Sequence, residues 1–218
     1  MDHSFGNALQ DGYQLVKTLK LSEAVFLADE WIARCKSDEE KIPFLNLKGE
    51  ALLHGGHYFL ASSCFFESLR LSELYKTKAF KAEAHVGLSY VYRFLEDYKS
   101  AIEYAGSCKE MVAATTEIYI KALISEGISN ARLGNFEEAE LLLQKALQLS
   151  ENIADDYLMT TCIKSQADLF LNRKDYVRAL QLYEKALLAL KQQEHFVLKT
   201  MILVRMGEAL EQSGNFAK

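Results

Sequence analysis

The two histidines of the segment HGGH are the side chains of this chain best suited to metal binding. His54 and His57 lie three residues apart, and imidazole nitrogens are common zinc ligands. A zinc site needs three or four protein ligands, and no third ligand is evident nearby in the sequence. The pair is therefore predicted to be polar turn residues, and no metal or other cofactor is expected.

Acid–base and nucleophilic catalysis have equally little support. His85 falls at a helical position that is predicted to be half-buried, where a hydrogen-bonded core histidine is more common than a catalytic base. The sequence contains no P-loop, no dinucleotide-binding fingerprint, no GxSxG elbow and no HExxH motif. The chain is therefore predicted not to be an enzyme.

The cysteines and the amino-terminal segment indicate the cellular compartment. Cys35, Cys64, Cys108 and Cys162 lie far apart without a CxxC pair, so each is expected to be a free thiol packed as a small hydrophobe. No basic segment followed by an apolar run begins the chain, and no stretch approaches 18 consecutive apolar residues. These features predict a cytoplasmic protein with no membrane contact.

Charge and composition narrow the class further. The formal net charge is −5, which argues against binding to nucleic acid, because such binding requires clustered positive charge. Of the 218 residues, half are hydrophobic, eleven are glycine and one is proline, Pro43. So few helix breakers in a chain of this length predict a mostly helical fold with a substantial core.

An internal repeat organises the sequence. Five phrases share a turn followed by an aromatic residue and, where the chain extends far enough, an alanine three positions later: GGHYFLAS, LEDYKSAI, LGNFEEAE, RKDYVRAL and SGNFAK. The alanines are Ala61, Ala101, Ala139 and Ala179, at intervals of 40, 38 and 40 residues. Twelve positions before each alanine stands another small residue, at Gly49, Ser89, Gly127 and Ala167, with Gly207 next in step. Paired small residues allow two helices to approach closely, so each copy is predicted to be a helical hairpin.

These phrases resemble the tetratricopeptide repeat. The segments LGNFEEAELLLQKALQL (133–149) and KDYVRALQLYEKALLAL (174–190) look very similar to the second half of that repeat. The resemblance implies an all-α, right-handed superhelix of about five and a half helix-turn-helix repeats, forming a single solenoid over residues 1–218. The period near 40 residues, and the lack of a proline closing each repeat, depart from the standard 34-residue form and resemble long-period bacterial members.

The family resemblance also implies a binding face. The first helices of such repeats line a concave groove, and helix phase places side chains three residues before and one and four after each small residue in it. The candidate contacts with a protein or peptide partner are Asn46, Glu50, Tyr90, Arg93, Ile124, Ile128, Lys164 and Asp168. The family's clamp for two carboxylates is not expected, because only Asn46 and Lys164 have suitable side chains.

The last repeat is incomplete in this sequence. Residues 196–213 are predicted to form its first helix, and Phe216 to begin the second. The first helix would expose Leu203, Met206 and Leu210, so these residues are expected to mediate self-association as a homodimer. The same observation indicates that the chain is the N-terminal part of a longer protein.

Two functions agree with this sequence. The first is a scaffold or sensory signalling module that binds a protein or peptide in the concave groove. The second is a regulatory or dimerisation region of a larger signalling enzyme or transcription regulator. Both would use the same fold, so the sequence beyond these residues would discriminate between them.

Overall fold

The computed structural model describes residues 3–190 and 196–214, and every regular element within those ranges is an α-helix. This confirms the predicted all-α class. The helices are α1 (His3–Lys17), α2 (Leu21–Arg34), α3 (Asp38–His54), α4 (Tyr58–Tyr75), α5 (Lys78–Phe94), α6 (Tyr98–Lys109), α7 (Glu117–Arg132), α8 (Phe136–Asn152), α9 (Asp156–Asn172), α10 (Tyr176–Ala189) and α11 (Phe196–Gln212). Phe216, which is predicted to open a further helix, lies outside the described residues.

The chain divides into two compact units, Met1–Val112 with α1 to α6 and Ala113–Lys218 with α7 to α11. Within each unit, each helix packs against the helix that follows it in the chain. The first helices of successive repeats also touch one another inside a unit, as α3 does with α5 and α7 does with α9. The single solenoid over residues 1–218 stays a prediction.

Small residues form the contacts within each hairpin, as predicted. The second-helix alanines Ala61, Ala101, Ala139 and Ala179 are fully buried. A β-carbon added to Gly49 would lie 2.7 Å from the Phe65 ring of α4, and one added to Gly127 would lie 2.9 Å from Cγ of Leu143 in α8. Each glycine therefore leaves room for a large side chain of the partner helix, which any other residue at that position would displace.

The turn inside each hairpin has three residues and one hydrogen-bond pattern. In the α3–α4 turn, the N–H groups of Gly56 and His57 donate to the carbonyls of Leu53 and Leu52 at 3.1 and 2.9 Å. The same two bonds recur in the α1–α2, α5–α6, α7–α8 and α9–α10 turns, which are Schellman motifs. The central residue of each turn has a positive φ. Glycine adopts this conformation at little energetic cost, as at Gly56 and Gly134, but Leu19, Glu96 and Lys174 adopt it as well.

Side-chain caps fix the start of several helices. Ser37 Oγ accepts a hydrogen bond from the Glu40 N–H at 3.3 Å and so caps the start of α3. The first turn of α3 is acidic, and this charge complements the helix dipole. Pro43 lies inside α3, five residues after the first helical position, which is where proline is most favoured.

The structure shows no disulfide among the four cysteines, and Cys108 and Cys162 are fully buried. Burial raises the pKa of the Cys108 and Cys162 thiols to about 12, so both stay protonated at neutral pH. Among the described residues, no helix is both long and apolar enough to cross a bilayer.

Candidate interaction surface

The binding face predicted for the first unit is partly closed by helix packing. Asn46 is 2% exposed, and its Nδ2 donates to the Phe80 carbonyl at 3.0 Å and to Glu83 Oε2 at 3.1 Å. Both acceptors belong to α5, so Asn46 joins two neighbouring repeats instead of facing a groove. Glu50, one turn later in α3, remains half-buried.

Tyr90 and Arg93 of α5 are half-buried and contact each other. The Arg93 guanidinium lies 5.2 Å from the centre of the Tyr90 ring and 4.7 Å from that of Phe94. Phe94 in turn stacks on Tyr58 of α4 with ring centres 5.3 Å apart. The Tyr90 and Phe94 rings therefore help to orient the Arg93 guanidinium by cation–π attraction.

The α7 part of the predicted face is also mostly buried. Ile124 is 2% exposed and packs in a core cluster with Leu158 and Cys162 of α9. Ile128, one turn later, is half-buried against the same cluster. Ile124, like Asn46, is therefore buried by helix packing in this structure, and its contact with a ligand stays a prediction.

Lys164 and Asp168 of α9 are brought together in an ion-pair network. Lys164 Nζ donates to Asp168 Oδ2 at 2.7 Å, while the Tyr183 hydroxyl and Arg205 Nε donate to Oδ1 at 2.5 and 3.0 Å. Arg205 also donates to Glu208. The network therefore links α9, α10 and α11 through one carboxylate.

Electrostatics favour the ionised form of that carboxylate. Burial alone would raise the pKa of Asp168, but the charge and hydrogen bond of Lys164, the Tyr183 hydroxyl and the charge of Arg205 lower it below the ordinary value. Burial and the Asp168 charge raise the pKa of Tyr183, so its hydroxyl stays a donor. Tyr183 and Arg205 were not among the candidates. They lie outside the helix-phase positions used to select them, and only the tertiary fold brings them to Asp168.

Surface depressions occur in both units. One of about 220 Å³ in the second unit is lined by Lys164, Thr200, Met201, Val204 and Arg205. A larger one of about 470 Å³ lies on the α1–α2 hairpin around Phe26, whose side chain is 65% exposed. Only the first of the two includes a predicted site residue.

Helix α11 presents a further face, which no other described helix covers. Leu203 is 49% exposed and Leu210 is 39% exposed, as the sequence predicts. Met206 is half-buried because it packs on the core formed by α9 and α10. Self-association through these residues stays a prediction.

The histidine pair lies where the sequence places it. His54 ends α3, His57 precedes α4, and both side chains are exposed. Within the ranges that the structure describes, no three His, Cys, Asp or Glu residues are grouped closely enough to hold a metal ion.

Comparison with known families decides the class. Two family models described as tetratricopeptide repeat match residues 82–111 and 161–195. The first segment spans most of α5 and α6, and the second runs from within α9 past the end of α10, so each match falls on one helical hairpin. The chain belongs to the tetratricopeptide repeat family. No curated protein matches the sequence.

Solved structures share the fold of this tetratricopeptide repeat protein. A thermophilic repeat protein of Thermus thermophilus, TTC0263, superimposes with a TM-score of 0.73 at 20% identity, over 94% of this chain and 98% of that one. BtubC from P. vanneervenii superimposes with a TM-score of 0.65 at 14% identity, over 99% of this chain and 86% of that one. At such identities the likeness establishes the fold alone.

Proposed function

We propose that this tetratricopeptide repeat protein is a non-catalytic module that binds a protein or peptide along the exposed faces of its first helices. The observation that carries the proposal is the depression between α9 and α11. There two basic side chains, Lys164 and Arg205, adjoin the exposed apolar side chains of Met201 and Val204. Peptide-binding surfaces combine apolar pockets with a few fixed polar groups in this way.

The α5 surface of the first unit supports the same proposal. Tyr90 and Arg93 present an aromatic ring and an oriented cation, the side-chain types that contribute most to protein interfaces. Because packing already fixes the Arg93 guanidinium, a ligand would lose little side-chain entropy on binding to it. Glu50 is the remaining candidate on this unit.

Peptide display against the intact chain tests the proposal. Selected peptides are measured by fluorescence anisotropy against the wild type, against Met201→Asp with Val204→Asp, and against Tyr90→Ala with Arg93→Glu. Leu188→Asp is the matched control, because Leu188 is 83% exposed on α10, away from both surfaces. All variants are first shown to be folded by circular dichroism.

We expect at least one face variant to weaken binding by about tenfold or more, since loss of a central interface residue costs about 2 kcal/mol. The control variant should bind as the wild type does. Selected peptides that bind all three variants equally would contradict binding through these faces, and a failure to select any peptide would argue for a spacer or regulatory region.

The setting that we propose is a cytoplasmic signalling assembly. The lack of a disulfide among the four cysteines supports a reducing compartment, because thiols are kept reduced there. A role as the regulatory or dimerisation region of a larger enzyme or regulator is the second candidate, and the uncovered face of α11 favours it.

A further inference from the structure

In two hairpins a large side chain of the second helix packs over the small residue of the first helix. We call the space above that small residue a seat. In α3 and α7 the small residue receives a large side chain from the antiparallel second helix, Phe65 over Gly49 and Leu143 over Gly127. At the equivalent Gly207 of α11, no described atom lies within 4 Å of the position that a β-carbon would take. The seat at Gly207 is therefore formed but not filled by the described residues.

The side chains around Gly207 show the same difference. Leu203, four residues before the glycine, is 49% exposed, whereas its counterpart Ile163 in α9 is 3% exposed. Leu210, three residues after it, is 39% exposed, whereas its counterpart Phe170 is 9% exposed. In α9 the second helix α10 covers this face, whereas no described helix covers the equivalent face of α11.

The face is complementary to itself. Leu203 and Gly207 lie one helical turn apart on the same side of α11, so two α11 helices packed antiparallel would each place Leu203 over the other's Gly207. Such a pairing reproduces the large-over-glycine contact of the hairpins and has the two-fold symmetry of an isologous dimer. The charged residues of α11 sum to zero, so like charges do not oppose the approach; they are Lys199, Arg205, Glu208 and Glu211.

We propose that a second copy of this chain covers the face, through a two-fold antiparallel α11 pair in which Leu203 of each copy fills the Gly207 seat of the other. Leu210 extends the apolar strip on either side of the centre. The helix has 17 residues. Its face is thus about 25 Å long, which is small for a protein interface, so the dimer should dissociate in the micromolar range. The proposal does not depend on peptide binding by the other helix faces.

Sedimentation equilibrium of the intact chain, from low to high micromolar concentration, tests the pairing. The wild-type mass should rise with concentration from 24.7 kDa toward twice that value. Gly207→Leu fills the seat and should raise the dimer dissociation constant by about tenfold or more. This variant should fold normally, because Gly207 is exposed and leucine is the better helix former.

Exchanging Leu203 and Gly207 tests whether dimerisation depends on the specific contact between them or only on exposed hydrophobic surface. Leu203→Gly with Gly207→Leu keeps one large and one small residue four positions apart, so the double variant should recover dimerisation that Gly207→Leu loses. Leu188→Asp on α10 should dimerise as the wild type does. A chain that stays monomeric throughout would overturn the proposal, as would a dimer that Gly207→Leu leaves intact or a double variant that shows no recovery.

A synthetic peptide of residues 135–152, which form the helix that fills the Gly127 seat, tests whether a separate helix and not a second copy occupies the Gly207 seat. If the peptide binds the wild type and the chain alone remains monomeric, the occupant is a helix and not a second copy, and the proposal is overturned.

Discussion

Replacing Asp168 with alanine should destabilise the second unit more than any single surface substitution. The carboxylate accepts hydrogen bonds from Lys164 Nζ at 2.7 Å, the Tyr183 hydroxyl at 2.5 Å and Arg205 Nε at 3.0 Å. Its removal leaves two cations and a phenol without the acceptor that joins α9, α10 and α11. The variant therefore loses more than one pairwise attraction, because the groups left behind remain partly desolvated.

The size of the effect follows from burial. Breaking a buried ion pair costs about 3–5 kcal/mol. The Asp168 side chain is 21% exposed and Arg205 is 24% exposed, so water can reach part of the network after the change. We therefore expect a loss of about 3 kcal/mol, the lower end of that range. This is a large fraction of the stability of an ordinary domain, about 5–15 kcal/mol.

Urea unfolding followed by circular dichroism at neutral pH measures this loss. Glu67→Ala is the control, since Glu67 forms an exposed pair with Arg70 on α4 and should cost less than about 1 kcal/mol. Because the pKa of Asp168 is lowered in the fold, its contribution should be complete above the unfolded value of about 3.9 and lost as pH falls through the folded value. The difference between wild type and variant should thus be constant from about pH 5 to pH 8. A loss for Asp168→Ala no larger than that of the control would refute the reasoning.

Three further predictions concern packing, pH and thiol reactivity. Gly127→Ala should lower the free energy of unfolding in urea by about 1–3 kcal/mol, because the added β-carbon would overlap Leu143. Gly106→Ala should raise it by about 0.5–1 kcal/mol, because Gly106 has open space around it. Equal effects of the two substitutions would contradict the close packing at Gly127. Burial, aided by the nearby Lys81 charge, lowers the pKa of His85, so the fold favours the neutral ring and stability should fall as pH drops below the unfolded value of about 6.5. The melting temperature of wild type should decline more than that of His85→Gln between about pH 7.5 and 5.5, and parallel declines would exclude His85 as the cause. A thiol reagent should modify the half-exposed Cys35 before the buried Cys108 and Cys162 in the folded chain, as mass spectrometry of each site would show; early labelling of Cys162 would contradict its burial.

Hairpin packing was predictable from sequence because it depends on residue size at fixed spacing. The alanines and glycines that recur twelve positions apart lie where two helices touch, and no other information was needed to place Ala61, Ala139 or Gly127 in those contacts. The turn glycines were predictable for a similar reason, since Gly56, Gly134 and Gly214 all have the positive φ that glycine adopts cheaply.

The binding face was less predictable because helix phase does not show which neighbour covers a side chain. Asn46, Ile124 and Val204 occupy the same position, three residues before the small residue, yet the first two are buried and Val204 is 56% exposed. Asn46 and Ile124 lie where the first helix of the next repeat packs, whereas no described helix follows α11. The Arg205–Asp168 hydrogen bond could not be predicted from the sequence for a related reason. It joins residues 37 positions apart that share no sequence pattern.

The uniform turns set where this chain tolerates a change of length. Each hairpin turn between described helices has three residues, and one inserted there would rotate the following helix by about 100° and move its alanine out of the interface. Connections between hairpins differ, from two residues at 76–77 to seven at 110–116. Insertions, protease sites or fluorescent labels should therefore be accepted at 110–116 and rejected in the Gly134 turn, so the repeat can diverge freely in sequence while its internal register stays fixed.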